Sequence, residues 1–142
     1  MKIILFSVFL LILLVSCSIE YDGILKSSDE KFNLGLNQIL YISYQDTFYN
    51  QEEHIWITFD SLLHDSRCPV DVVCDWQGNA RLSFIFGKNE NKERFNLNTY
   101  QGFTRDTLLY GYRISLVGVL PVPYSEVDLK PEDYIAKILI EK

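Results

Sequence analysis

The chain has little histidine and little cysteine: only His54 and His64, and only Cys17, Cys68 and Cys74. That scarcity narrows the chemistry. A structural zinc site takes four ligands, usually from two close Cys/His pairs, and only His64 stands near Cys68 and Cys74. Nucleophilic catalysis requires a nucleophile, a base and an orienting group. The serines near the histidines, Ser61 and Ser66, sit in no nucleophile-elbow context. His54 and His64 share parity with Thr58 and Asp60, which reads as the polar side of one strand carrying surface histidines. No glycine-rich phosphate loop is present, and no acid pair stands out from the general acidity. The expectation is a protein without enzymatic activity, with no catalytic residue, no cofactor and no metal site.

Basic charge is also short. Thirteen Lys and Arg stand against nineteen Asp and Glu, for a net charge of −6. Nucleic acid rewards clustered basic residues, so it is excluded as a partner. Electrostatic adhesion to anionic lipid is disfavoured for the same reason.

There is one long apolar run, residues 3–14, IILFSVFLLILL, and it falls short of the ~20 residues of a membrane-spanning helix. It follows a short basic start, Met1-Lys2, and ends in Leu14-Val15-Ser16-Cys17. Charged head, apolar middle and a small residue before the cut form the plan of a secretory signal. A cysteine placed directly after Leu-Val-Ser resembles the lipobox of bacterial lipoproteins. The resemblance implies a leader over 1–16 and acylation of Cys17, with several acyl chains at ~0.8 kcal/mol per buried CH₂ anchoring the protein to a membrane. The expected location is the bacterial cell envelope, at the outer membrane, on either its periplasmic or its surface face. Without Lys2, twelve basic side chains would face nineteen acidic ones.

An odd cysteine count in an exported protein leaves one thiol over. With Cys17 acylated, Cys68 and Cys74 remain as a disulfide pair in an oxidising compartment. Residues 17–31 then read as the lipidated cysteine and a flexible tether of mixed polarity, with a root-mean-square reach of about 20 Å as random coil. Residues 32–142 read as a single domain.

From residue 32 the apolar periodicity is two. FNLGLNQILYI sets Phe32, Leu34, Leu36, Leu40 and Ile42 on one parity. Ile55, Ile57 and Phe59 alternate, and Leu62-Leu63 then blurs the phase, as a β-bulge would. Leu82, Phe84 and Phe86 alternate, as do Phe95 and Leu97. The run 108–117 sets Leu108, Tyr110, Tyr112, Ile114 and Leu116 on one face, and Tyr134, Ala136, Ile138 and Ile140 repeat the pattern. Short alternating runs rich in aromatic and β-branched residues are half-buried strands. Turn signals lie between them, at Gly78-Asn79, Gly87-Lys88-Asn89, Gln101-Gly102, Pro121-Val122-Pro123 and Lys130-Pro131. The segment PYSEVDLKPED is too short and proline-broken for a helix. The expected fold is all-β: an antiparallel β-sandwich or partly open barrel of about six to eight strands.

Between two of these strands lies DSRCPVDVVCDWQGNA, residues 65–80. Five residues separate its cysteines, where a thioredoxin-like centre has two. Asp65, Asp71 and Asp75 could offer oxygens to calcium, but without EF-hand spacing solvated loop acids are the plainer reading. A staple fits best: closing this loop stabilises the fold by roughly 2–2.5 kcal/mol in the chain-entropy model. Pro69 holds Cys68 extended, Trp76 supplies apolar surface beside the disulfide, and Gly78 admits positive φ. Asp65 and Arg67 read as a local loop-organising pair.

The segment resembles a family of small bacterial lipoproteins and secreted proteins that share the form DSRCP-x4-C-x-W-x-G-x-A. Asp65, Ser66, Arg67, Cys68, Pro69, Cys74, Trp76, Gly78 and Ala80 match it. The resemblance implies a paired disulfide and a β domain, and it carries over no catalytic residue.

Aromatic residues are plentiful, with nine Tyr and nine Phe. YISYQDTFY, 41–49, reads as a loop between strands that places Tyr44 and Tyr49 for contact with a glycan or an envelope protein. Tyr41 and Phe48 read as strand-end core. Tyr100, Phe103 and Tyr124 form a second candidate group. The possible binding surface is therefore Tyr44, Tyr49, Asp65, Arg67 and Asp71. The expected function is a non-catalytic, membrane-anchored binding or accessory domain of the envelope. The alternative is a small envelope hydrolase, or a protease-interacting, inhibitor-like domain with a dispersed site.

Overall fold

The computed structural model describes residues 33–142. The expected leader over 1–16, Cys17 with its expected acylation, the expected tether and Phe32 lie outside the described residues. Eight strands form two four-stranded sheets. The first sheet holds β2 (Thr47–Asn50), β3 (Ile55–Asp65), β4 (Ala80–Lys88) and β5 (Asn91–Asn98), adjacent in chain order. The second holds β1 (Ile39–Ser43), β6 (Asp106–Leu109), β7 (Tyr112–Leu120) and β8 (Ile135–Glu141), in the order β1-β8-β7-β6. All strand pairings within the sheets are antiparallel. The two sheets face each other as an open sandwich and do not close into a barrel.

The alternation of apolar residues decides which face turns inward. Ile55, Ile57 and Phe59 on β3, Leu82, Phe84 and Phe86 on β4, and Leu97 on β5 are fully or almost fully buried. They meet Ile42, Ile114, Leu116, Ala136, Ile138 and Ile140 from the other sheet in one core. Its centre is aromatic: Phe59 lies 5.5 Å from Phe84, and Phe84 lies 5.7 Å from Phe95. The phase break at Leu62-Leu63 is structural, because the β3–β4 register shifts between Phe59 and Ser61 and again between Leu62 and His64. Such bulges raise local twist, and these two fall just before β3 runs into the 65–80 segment.

Three expectations need correction. The alternation over 32–42 yields a strand only from Ile39; Leu34 is buried, but it precedes a turn. The run 108–117 is two strands, joined by a Tyr110-Gly111 turn with both φ positive, at 51° and 85°. A two-residue hairpin loop of this type reverses the chain and pairs Leu109 with Tyr112. Odd positions of β6 therefore share a face with even positions of β7, and Leu108 is left 67% exposed. Residues 41–49, read as one loop, contain the end of β1, a turn at Gln45 (φ 63°) and the start of β2. Phe48 packs against the core as expected, whereas Tyr41 is exposed under the Lys137 ammonium.

The strand ends define two poles. At one pole lie the turn after β1, the β3–β4 segment, the β5–β6 connection and the β7–β8 connection. The opposite pole carries the β2–β3, β4–β5 and β6–β7 turns. The described chain starts at this opposite pole. Leu34 donates to Tyr49 O at 2.8 Å, and Asn37 donates to Ile140 O at 2.8 Å.

Candidate functional site

The pole built by the 65–80 segment is organised by charge, by a staple and by one glycine. Cys68 and Cys74 are joined at an S–S distance of 2.07 Å. Ahead of them, the Asp65 carboxylate accepts from Arg67 three ways: from its backbone N–H at 3.0 Å, from Nε at 2.9 Å and from Nη2 at 2.7 Å. Asp65 also accepts from the Tyr134 hydroxyl at 2.9 Å, and Arg67 Nη1 donates to Val119 O at 2.7 Å. Tyr134 and Val119 belong to the second sheet and its connection, so this network bolts the end of β3 to the other layer. Only 12% of the Arg67 side chain and 11% of the Asp65 side chain stay exposed.

The electrostatics follow from that geometry. Burial pushes the Asp65 carboxyl up, but the Arg67 hydrogen bonds, the Arg67 charge and the Tyr134 hydroxyl together outweigh it and hold it below the ordinary aspartate value. Burial and the donated bond to Asp65 push the Tyr134 hydroxyl up to about 12.

The return of the segment is equally fixed. Ser66 N–H donates to Asn79 O at 2.8 Å, and Cys68 N–H donates to Gln77 O at 3.0 Å. Gly78 holds φ at +71°, and a side chain there would sit 1.8 Å from Ser66 O. Only glycine meets both demands. Asn79, almost fully buried, accepts through its side-chain oxygen from Thr99 N–H at 3.1 Å and from Tyr100 N–H at 3.0 Å. It thereby ties the 65–80 segment to the β5–β6 connection. Ala80 is fully buried at the start of β4.

Trp76 is the large side chain of this segment that the core does not absorb. It is 52% exposed and meets the Tyr100 ring edge to face at 5.7 Å. Tyr100 in turn meets Phe103 at 5.4 Å, and Phe103 is 53% exposed. Gly102 makes room for this row, since a Cβ there would sit 2.5 Å from the Tyr100 ring. Beside the row lies a shallow cleft of about 880 Å³, lined by Phe103 and by the outward side chains Arg81, Asn96 and Asn98.

On the other flank, Val70 N–H donates to Pro123 O, and Asp71 accepts from Ser125 N–H at 2.9 Å and from its hydroxyl. Those bonds hold the Asp71 carboxyl below its ordinary value. Val70, Val73, Tyr124 and Val127 stand exposed along this flank.

The expected site residues are thus dispersed. Asp65 and Arg67 turn their polar groups inward, and Asp71 joins two loops. Tyr44 packs edge to face on Phe59 at 5.7 Å, while Tyr49 is 53% exposed on β2. Tyr44 and Tyr49 do not join the aromatic row. Of the second aromatic group, Tyr100 and Phe103 do meet. His54 sits in a turn at the opposite pole and His64 is exposed on β3. No hydrogen bond joins either to a serine or a carboxylate among the described residues. Nor does any group of three or more His, Cys, Asp and Glu among the described residues come close enough to hold a metal ion.

Three comparisons with known proteins are silent. No family model, no curated protein and no solved structure matches the chain.

The cleft residues Asn79, Arg81, Asn96, Asn98 and Thr104 did not stand out in sequence. Their signal was parity alone: Arg81, Asn96 and Asn98 occupy outward positions beside buried Leu82 and Leu97.

Proposed function

We propose that the protein is a membrane-anchored binding or accessory domain of the bacterial envelope, held by acyl chains on Cys17, and that it works through the stapled pole without catalysis. One observation carries this reading: the chain enters the domain at the pole opposite the stapled segment. β3 alone has eleven residues, so strand rise separates the poles by roughly 30 Å. A tether on the near side leaves the stapled pole facing away from the bilayer. That pole carries Val73, Trp76, Phe103 and Tyr124, all more than half exposed, on backbone pinned by a disulfide and a largely buried ion pair. Exposed apolar groups on a rigid frame favour binding, because little ordering entropy remains to be lost on contact. The lipobox-like leader and the resemblance of residues 65–80 to small lipoproteins point the same way.

Site-specific photocrosslinking in intact cells tests the proposal, with the probe at Val73 or Tyr124 and, as control, at Leu108 on the opposite half. The expected result is a discrete crosslinked product from the stapled pole and none from Leu108, together with loss of membrane fractionation in Cys17→Ser. Crosslinks confined to Leu108, or a Cys17→Ser protein that stays with membranes, would contradict it.

The protease-interacting alternative draws on Val73, which is wholly exposed inside the stapled loop. That loop is turned rather than extended, with Val72 N–H donating to Pro69 O. It therefore lacks the strand-like backbone that adds to a protease's binding edge.

A further inference from the structure

We infer that the cleft between β4, β5 and the β5–β6 connection is a glycan subsite, and that it takes a sugar bearing a carboxylate, a uronate. The inference rests on the binding role proposed above and names its ligand class.

Arg81 carries the first part. Of the five arginines, Arg67, Arg94 and Arg113 are paired with Asp65, Asp60 and Asp106. Arg81 has no carboxylate partner among the described residues, although the protein is acidic overall. It stands on the outward face of β4 opposite Asn98 of β5. Its Nη2 reaches the Asn96 side-chain oxygen at 3.1 Å in the amide orientation that satisfies both ends. An Arg steadied by a neutral amide keeps its full charge and a free face of its planar fork, the geometry that grips a carboxylate with two parallel bonds.

The amides carry the second part. Asn79 Nδ2 donates to Asn98 Oδ1 at 3.0 Å, and Asn98 Nδ2 donates to Thr104 O at 3.1 Å. These bonds lock the Asn98 side chain against the connection and fix how its remaining polar capacity faces the cleft. Sugars present hydroxyls in fixed directions, and locked amides answer them without an ordering cost.

The aromatic row supplies the third part. Phe103 lines the cleft, Tyr100 supports it, and Trp76 extends the row from the stapled segment. A sugar ring has one polar rim and one C–H face, and the C–H face lies well on an exposed aromatic ring. A cleft of about 880 Å³ falls within the ~300–1,000 Å³ of small-ligand sites. Apolar platform, locked amides and one cation without a carboxylate partner occur together here, and do not at the clefts beside Leu34 and beside His54.

Calorimetry on the detergent-solubilised full chain tests this with hexasaccharides of oligogalacturonate, oligomannuronate and hyaluronan, and with neutral cello-, malto- and chito-oligosaccharides as controls. The expected result is a dissociation constant below about 1 mM for at least one uronate oligosaccharide. Neutral oligosaccharides should bind at least about tenfold more weakly, and Arg81→Gln and Phe103→Ala should each weaken uronate binding about tenfold or more while melting near the wild type. No uronate binding, equal binding of neutral sugars, or affinity kept in both variants would overturn the inference. Crosslinks at Val73 with no uronate binding would overturn this inference alone. Uronate binding without those crosslinks would leave it standing and count against the proposed envelope partner.

Discussion

The Tyr134 hydroxyl donates to Asp65 at 2.9 Å, and through that bond the end of β3 in one sheet is fastened to the approach to β8 in the other. The Arg67 guanidinium completes the fastening by bridging Asp65 to Val119 O. Removing one partner of a nearly buried pair strands the other in a poor solvent. Arg67→Ala is therefore expected to cost about 3 kcal/mol. The Asp65→Ala, Arg67→Ala double variant should cost less than the sum of the singles, because neither charge is then left alone. Urea unfolding of all three variants checks both statements.

Two glycines with positive φ separate conformation from space. Gly78 (φ +71°) would place a Cβ 1.8 Å from Ser66 O, whereas Gly111 (φ +85°) has nothing within 4 Å of that position. Gly111→Ala bears only the left-handed backbone cost, about 1–2 kcal/mol. Gly78→Ala adds a clash with backbone on the facing chain, so a loss of at least about 3 kcal/mol is expected. Thermal melts of the two variants should differ by at least about four degrees, on a scale of about 4 °C per kcal/mol for a domain of slightly over a hundred residues.

Stability should also depend on pH at both extremes. The Asp65 carboxyl is held below its ordinary 3.8. The stability it contributes is complete above that value and is lost as pH falls through the lower folded value. The Tyr134 hydroxyl is raised from 10.0 to about 12. Its contribution is complete below pH 10 and is lost as pH rises towards 12. Tyr134→Phe should remove part of the alkaline loss and weaken the acid-side dependence, since Asp65 loses a donor. Denaturation midpoints between pH 2 and 12 test this.

Reduction should loosen the stapled loop without unfolding the sandwich. Opening the Cys68–Cys74 bond removes roughly 2–2.5 kcal/mol in the chain-entropy model. The bonds from Ser66 to Asn79 and from Arg67 to Asp65 lie outside the closed loop. Amides of residues 70–73 should exchange faster in the reduced protein, while those of β3 and β4 should keep their protection. Unfolding on reduction alone would contradict this.

The all-β class, the single core and the β3 bulge were legible because alternation records directly which side chains leave water. Phe59, Phe84 and Phe86 declare themselves that way. The split of 108–117 was not legible, since a two-residue hairpin keeps the pattern running while it reverses the chain. Residues 65–80 were legible as a stapled loop, and Gly78 as a positive-φ position. What sequence could not show is that Asp65 and Arg67 face inward. Their partners, Tyr134 and Val119, lie more than fifty residues away and only the fold brings them near. The cleft stayed hidden for the same reason: Asn79 and Arg81 at the start of β4 meet Asn98 and Phe103 only through the β4–β5 pairing, and polar residues on outward strand positions otherwise mean only solvent.

The central claim is that residues 65–80 form a rigid platform rather than a mobile loop. Hydrogen exchange at single-amide resolution in the oxidised protein tests it most directly. Ser66, Arg67 and Cys68 on one side, with Thr99 and Tyr100 on the other, donate to Asn79 O, Asp65, Gln77 O and the Asn79 side chain. Their amides should exchange roughly a thousandfold or more slowly than an unstructured peptide, in the range of β3 and β4. Exchange of these five amides at the rate of a free loop, with the sandwich protected, would contradict the account.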